Sequence, residues 1–496
     1  MTHPAPPGVS YRELALFALP AALLLALTYN SVLRYEYGMW DDYTLLMAAR
    51  HEQTIQFRLL SGNGRPLQDL LSTVLFRWAG DVAGLAWIRG LSLVGLALFC
   101  VLLYRGLRQV GWWRLEAGAI ALGICTLPAF GVHVGWATMF HGIFGAVAGW
   151  LAGAIMGRAP TRGWREVVLA AAGLLVALMF YQPAASFYWL AVAVALFPPG
   201  RVVGDALNRA LRAGGVFVAT LAGYFVLIRL ARRWWLTDPI YVFTDARSRL
   251  TDDPLGKLDW FLREPLLLGA SVDGPGVRQW LAGAVLALVA MGMLAYLLRS
   301  AHWRALPVWL GLPLAAMASN LLVAENATFY RVLAPLSAVL GLLLVWSLYR
   351  LVQPRSHRLR RGFALLLALL ALASGYTTHR DVREHIALLQ SREWAMVRAV
   401  LAEHYDADDR VLVLARPVFR HTLADQLPGL EYGMLSTSLP MGEIYQLAFA
   451  SVYDPMAAPR VYICRDLYET RDCPEVGGQE RFPVVDLGAR LEVLRH

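Results

Sequence analysis

Lysine is nearly missing: Lys257 is the only one, so arginine supplies almost all of the 45 basic residues in a chain of 496. Charged residues of both signs make up only 16%, against a hydrophobic share of 57%. Soluble domains carry roughly 25% charged residues, so this composition excludes an ordinary soluble fold. Cysteine is scarce too, and none of the 4 cysteines falls with histidine at zinc-site spacing. The absence of a glycine-rich phosphate loop removes the nucleotide-binding fingerprints, and no internal repeat is present. The net charge of +9 does not indicate nucleic acid as a partner, because the arginines sit in short clusters between apolar runs.

Those apolar runs are what the sequence has in abundance. Most are roughly 18–22 residues long, enough to span ~30 Å of hydrocarbon, so the lipid bilayer is the expected partner. They are Leu14–Val32, Val82–Tyr104, Leu115–Val132, Gly142–Met156, Val167–Tyr181, Ala184–Phe197, Gly215–Leu230, Leu281–Leu298, Ala305–Val323, Val332–Leu348 and Gly362–Tyr376. The first is too long for the apolar region of a signal peptide and is expected to stay as a helix.

Arginine accumulates in alternate connections. One set holds Arg105, Arg108 and Arg114, then Arg158, Arg162 and Arg165, then Arg201, Arg209 and Arg212. It continues with Arg299 and Arg304, then Arg350, Arg355, Arg358, Arg360 and Arg361. Short arginine-rich loops mark the cytoplasmic side. That predicts an inner-membrane protein of a bacterial type, amino terminus inside and carboxyl terminus outside. The expected fold is mainly α: a transmembrane bundle of about eleven spans over residues 1–377, with long outward loops at 34–81 and 231–280.

Residues 378–496 are expected to form a small periplasmic α/β domain. Asp381–Tyr405 has helical spacing, and β-like runs follow at Val411–Leu414, Val461–Cys464 and Pro483–Leu487. An oxidising periplasm permits a disulfide between Cys464 and Cys473. Cys100 and Cys125 lie within apolar runs and read as packing residues.

The chemistry is expected to face outward. After the first run comes Tyr35-Glu36-Tyr37-Gly38-Met39-Trp40-Asp41-Asp42-Tyr43. Two adjacent carboxylates at a membrane surface repel each other and are partly desolvated. They fit a general base, a divalent-cation ligand, or an ordinary helix cap. Arg58 follows, then Ser61-Gly62-Asn63-Gly64-Arg65-Pro66, where the glycines and Asn63 allow left-handed backbone and Pro66 starts a turn or helix. A guanidinium held in such a turn suits a lipid phosphate. Arg331 lies outside i,i+4 spacing from Glu325 and is read as a second phosphate contact, or as an interface anchor with Tyr330. Arg89, within the second run, is expected to face the protein interior.

An acidic pair followed by Asn-Gly-Arg-Pro resembles the O-antigen glucosyltransferases of the GT-C superfamily. Leu127-Pro128-Ala129-Phe130 with Trp136, and Tyr181-Gln182, fit the same likeness, which covers about residues 10–350. The resemblance implies transfer of one sugar from a polyprenyl-phosphate donor to an acceptor outside, with the chemistry on Asp41 or Asp42. The acceptor is then O-antigen, another surface glycan or a secreted protein. Arg58, Arg65 and Arg331 are the expected donor-phosphate residues. Trp40, Asn63, His141, Tyr181, Gln182 and Tyr330 are the expected sugar or acceptor contacts. No organic cofactor is expected; a divalent cation, Mg or Mn, remains open. The segment Trp234–Trp280 mixes aromatic and charged residues and fits a helix lying on the membrane, a lid or a carbohydrate surface. A transporter or flippase is the alternative class, and a polysaccharide polymerase or ligase is a third.

Overall fold

The computed structural model describes residues 9–39, 41–50, 60–157, 163–234, 249–271, 279–404, 412–414, 462–464 and 484–486. Helices dominate. In chain order they are α1 (Tyr11–Thr28), α2 (Ser31–Arg34), α3 (Asp41–Arg50), α4 (Pro66–Ala79), α5 (Leu85–Gln109), α6 (Arg114–Cys125) and α7 (Pro128–Gly135). A 3-10 turn, Ala137–Met139, leads into α8 (Phe140–Gly157), followed by α9 (Trp164–Phe180), α10 (Gln182–Ala185), α11 (Phe187–Leu196) and α12 (Ala206–Trp234). Then come α13 (Pro254–Arg263), α14 (Pro265–Gly269), α15 (Gln279–Ser300), α16 (Ala305–Ala316), α17 (Ala318–Leu322), α18 (Tyr330–Val352) and α19 (His357–Asp381). A π-helical turn, Val382–Ala387, joins α19 directly to α20 (Leu388–His404).

The outer faces of these helices are apolar. On α1, Leu16, Leu19, Leu23 and Leu27 are exposed while Ala21 and Leu25 are buried; on α19, Leu365, Leu366, Leu369 and Leu370 are exposed opposite buried Phe363, Ala364 and Leu367. So large an exposed apolar surface is stable only against lipid. The chain is a multi-pass membrane protein.

Among the described residues, seven helices are long and apolar enough to cross a bilayer, or eight if α6 and α7, bent by 60° at their junction, form one span. Eleven runs therefore do not give eleven full-length helices, and the reason is local. The run Leu115–Val132 breaks before Pro128, and α9, with 17 residues, ends where Gln182-Pro183 opens a new helix. The run Ala305–Val323 is split at Met317 into α16 and the five-residue α17.

Alternate connections gather at one end. There Glu13 at the start of α1 receives Arg108 at 2.7 Å and Arg114 at 3.2 Å. The fully buried Glu116 takes two bonds from Arg360, at 3.0 and 3.2 Å, and that guanidinium lies 4.0 Å over the Trp113 ring. Arg350 donates to the Gly200 carbonyl and Arg299 to that of Arg350. Four of the five arginine-rich connections thus share one end of the bundle; Arg158 and Arg162 of the fifth lie outside the described residues.

The packing seam at the centre is a glycine stripe on α8. Gly145, Gly149, Gly153 and Gly157 recur every fourth residue and let the broken pair α10–α11 approach closely. A Cβ at Gly153 would stand 2.1 Å from the Tyr188 carbonyl oxygen. Gly153→Ala is expected to destabilise the protein by about 1–3 kcal/mol through overpacking, and Gly153→Leu by more. Thermal unfolding of the detergent-solubilised protein measures both.

Helix α19 passes through residue 378 without a break, so the expected boundary between membrane region and tail falls inside one helix. Farther on, Leu412–Leu414 pairs in parallel with Tyr462–Cys464 on one side and Val484–Asp486 on the other. Cys473 lies outside the described residues, and with it the expected disulfide to Cys464. Cys100 and Cys125 are buried free thiols.

Candidate functional site

At the end opposite the arginine clusters, the segment from Pro128 to His141 is a hub. Pro128 starts α7, the 3-10 turn interrupts the backbone after Gly135, and the side chains between have no single helical face. Four other parts of the chain meet there.

The first is the acidic turn. Arg89 is fully buried on α5 and donates to the carbonyls of Val32 at 2.7 Å, Tyr37 at 2.8 Å and Tyr35 at 3.3 Å. Its guanidinium also lies 4.0 Å from the centre of the Tyr37 ring. The Tyr37 hydroxyl, pushed up to about 12 by burial, donates to the Gly135 carbonyl at 2.7 Å. So the interior arginine read from the sequence clips the loop that carries the acids.

The two carboxylates of that loop part company. Asp42 is fully buried: one oxygen accepts from the Thr138 amide at 2.7 Å and hydroxyl at 2.5 Å, the other from the Met39 amide at 2.9 Å. Burial raises its pKa from 3.8 to about 6, against the opposing effects of the Thr138 and Met39 hydrogen bonds and the charge of Arg89. Asp41, one residue earlier in the first turn of α3, is exposed. Trp40 and Arg58 lie outside the described residues.

The second part is the Asn63-Gly64-Arg65-Pro66 turn. Gly64 has φ +77°, the left-handed angle glycine tolerates, and Pro66 opens α4. The Gln182 amide nitrogen donates to the carbonyls of Asn63 at 3.1 Å and Gly64 at 3.0 Å. Tyr224 donates its hydroxyl to the same Gly64 carbonyl, and Arg232 donates to that of Gly62 at 2.7 Å. Arg65 is thereby fixed, with its Nε donating to the Gln182 side-chain oxygen at 3.1 Å and its guanidinium 4.9 Å from the Tyr181 ring centre.

The third is the α9–α10 break, which supplies Tyr181 and Gln182. The Tyr181 ring meets that of His141 edge-on at 5.2 Å and that of His133 at 6.3 Å. The fourth is the start of α18. The carbonyl of Arg331 meets His133 Nε2 at 3.0 Å, and its guanidinium lies 5.3 Å from the Trp136 ring centre. Tyr330 lines a cleft with Pro128, Gly131, Thr378, Asp381 and Val382.

His141 sits among these groups, 1% exposed. Its Nδ1 lies 2.5 Å from the Thr138 carbonyl, which fixes the proton there, while Nε2 has no partner among the described residues. Thr138 thus stands between the acid turn and the basic cluster, a role that nothing in its local sequence announces. Among the described residues no three of His, Cys, Asp and Glu gather as a metal site would require.

Arg65, His141, Tyr181, Gln182, Arg331 and the Asn63 backbone, all named from sequence, therefore fall on one hub; Asp42 reaches it through Thr138. Sequence reasoning missed Thr138, Tyr224 and Arg232, all joined to the site by contacts across long chain separations. A comparison with protein-family models finds no match, and one with curated proteins finds none either.

Proposed function

We propose that the chain is a GT-C-type membrane glycosyltransferase that moves one sugar from a polyprenyl phosphate to a glycan or protein acceptor. The observation that carries this reading is the convergence of Arg65 and Arg331 on the Tyr181–His141–His133 hub, beside the loop that exposes Asp41. As the anomeric C–O bond breaks, its electron pair goes to the leaving phosphate, and two guanidinium groups are suited to that growing charge. The acceptor oxygen bonds to the anomeric carbon and its proton goes to a carboxylate, a role for which exposed Asp41 is better placed than buried Asp42. A divalent cation at Asp41 is compatible with the same chemistry.

In this reading the broken apolar helices complete eleven passes and the arginine-rich end is cytoplasmic. The hub and an α/β domain formed by the carboxyl-terminal portion then face the periplasm of a cell with an inner membrane. One observation favours the alternative of a transporter. The bundle contains a broken pair, α6–α7, and buried His133 and His141 pack against Tyr181 at the junction of α9 and α10; broken helices bind substrates in transporters.

Mass spectrometry of surface glycans and secreted glycoproteins separates the two. Deletion of the gene is expected to remove one pentose or hexose mass, restored by the wild-type chain and not by Asp41→Asn. Full restoration by Asp41→Asn would refute that residue's role. No glycan change in any strain would move the transporter reading to the front.

A further inference from the structure

Helix α13 belongs to the long connection between α12 and α15 and has three distinct edges. Asp253 caps its start, accepting from the Gly256 amide at 2.8 Å, and Pro254 opens the first turn. At about 100° per residue, Lys257, Trp260 and Phe261 share one edge, and all three are buried. Leu255, Leu258 and Leu262 share the opposite edge and are 80%, 40% and 51% exposed. Asp259 and Arg263, paired at 2.8 Å, form an exposed charged edge between them.

The inward edge is bolted down. The Lys257 ammonium donates to the Glu325 carbonyl at 2.6 Å and the Asn326 side-chain oxygen at 2.7 Å, 4.6 Å from the centre of the Trp260 ring. The Trp260 indole donates to Glu264 and Thr328, and the Thr328 hydroxyl to Glu264 at 2.8 Å. The chain's only lysine thus ties α13 to the turn that leads into Tyr330 and Arg331.

The leucine edge is exposed, Leu255 most of all, and its surroundings say what lies against it. The helix belongs to the connection that leaves the end of α12 and enters the start of α15, and those ends carry Trp234 and Trp280, 64% and 67% exposed. Exposed tryptophan at span ends marks the headgroup zone of a bilayer. The two helices that this connection joins are themselves lipid-facing, with Val226 and Leu227 exposed on α12 and Leu294 on α15.

We propose that α13 is a membrane-interface helix, its Leu255–Leu258–Leu262 edge seated at the boundary of lipid headgroups and acyl chains and its Lys257 edge fastened to the Arg331 turn. The partner is the bilayer surface, and the inference holds whatever reaction the hub performs. Because Asp259 and Arg263 border the leucines on one side only, the helix lies flat with one flank in water.

Spin labels test this in full-length protein lacking native cysteines, reconstituted in phosphatidylcholine–phosphatidylglycerol bilayers. Labels at 255, 258 and 262 are expected to collide mainly with oxygen, and labels at 259 and 263 mainly with a water-soluble nickel chelate. Equal nickel access at all five positions would overturn the proposal in favour of a water-facing lid. Access to neither reagent at 255, 258 and 262 would overturn it in favour of a protein cover. Should the cysteine-free chain not fold, a photoreactive diazirine side chain at 255 in the native chain gives the same decision. A phospholipid adduct is expected; an adduct with protein, or none, rejects the idea.

Discussion

If the chain is the proposed glycosyltransferase, Arg65→Ala is expected to lower sugar transfer from a polyprenyl-phosphate donor by about 10²–10³-fold, the loss typical of removing one preorganised charge from a transition state. Arg65 is half-buried between Tyr181 and Gln182, in a site where water competes little for the guanidinium. Arg331→Ala should behave alike, and the two together should lose less than the product of the single effects if both serve one phosphate. Arg65→Lys is expected to recover only part of the rate, because an ammonium cannot both bond Gln182 through a planar fork and stack on Tyr181. Rates from purified protein with a defined polyprenyl-phosphate sugar check this; an unchanged kcat/KM in Arg65→Ala would remove Arg65 from the donor site.

The second large effect concerns stability. Asp42→Ala leaves the Met39 amide and the Thr138 amide and hydroxyl buried without an acceptor. Each such group costs about 1–3 kcal/mol, so several kcal/mol and a poorly folded protein are expected. Asp42→Asn keeps the shape and one acceptor and should cost less. It should also change the pH dependence. Burial raises the Asp42 carboxyl from 3.8 to about 6 in the folded protein, which favours its protonated form. The stability this adds is present below about pH 4 and is lost as pH rises through about 6, on the order of 3 kcal/mol in all. Thermal midpoints between pH 4 and 7 should therefore fall with rising pH more steeply in the wild type than in Asp42→Asn. Parallel curves would show that Asp42 does not titrate in this range.

The pattern of these sites explains what could be read from the sequence. Lipid is a uniform solvent, so apolar runs and arginine clusters marked helix positions and the end they share. Backbone rules are local, and Gly64 and Pro66 took the turn and helix start that their residue types favour. Hydropathy does not register breaks, and this is why α16 ends at Ala316 inside a run that continues to Val323. The different surroundings of Asp41 and Asp42 depend on Thr138, 96 positions away, and the adjacent letters carry no trace of it. The contact of Trp394 with Glu36, 358 positions apart, is equally silent. The four-residue glycine period on α8 was in plain view and is a packing signal rather than a chemical one.

Helix α19, the π turn and α20 run on without a gap, and the stretch from His357 to Ala399 alone has 43 residues. At 1.5 Å per residue it is about 65 Å long, roughly twice the hydrocarbon thickness of a bilayer. Half of it therefore acts as a mast standing clear of the lipid. The π turn, Val382–Ala387, holds one residue too many per turn and rotates everything above it by up to about 100°. Below the turn the mast shows leucines to lipid. Above it, Trp394 and Val397 are buried, with Trp394 against Tyr43 and its indole donating to Glu36. Height and bearing are thus both fixed, and the upper mast stands as a post against which the acidic loop is braced.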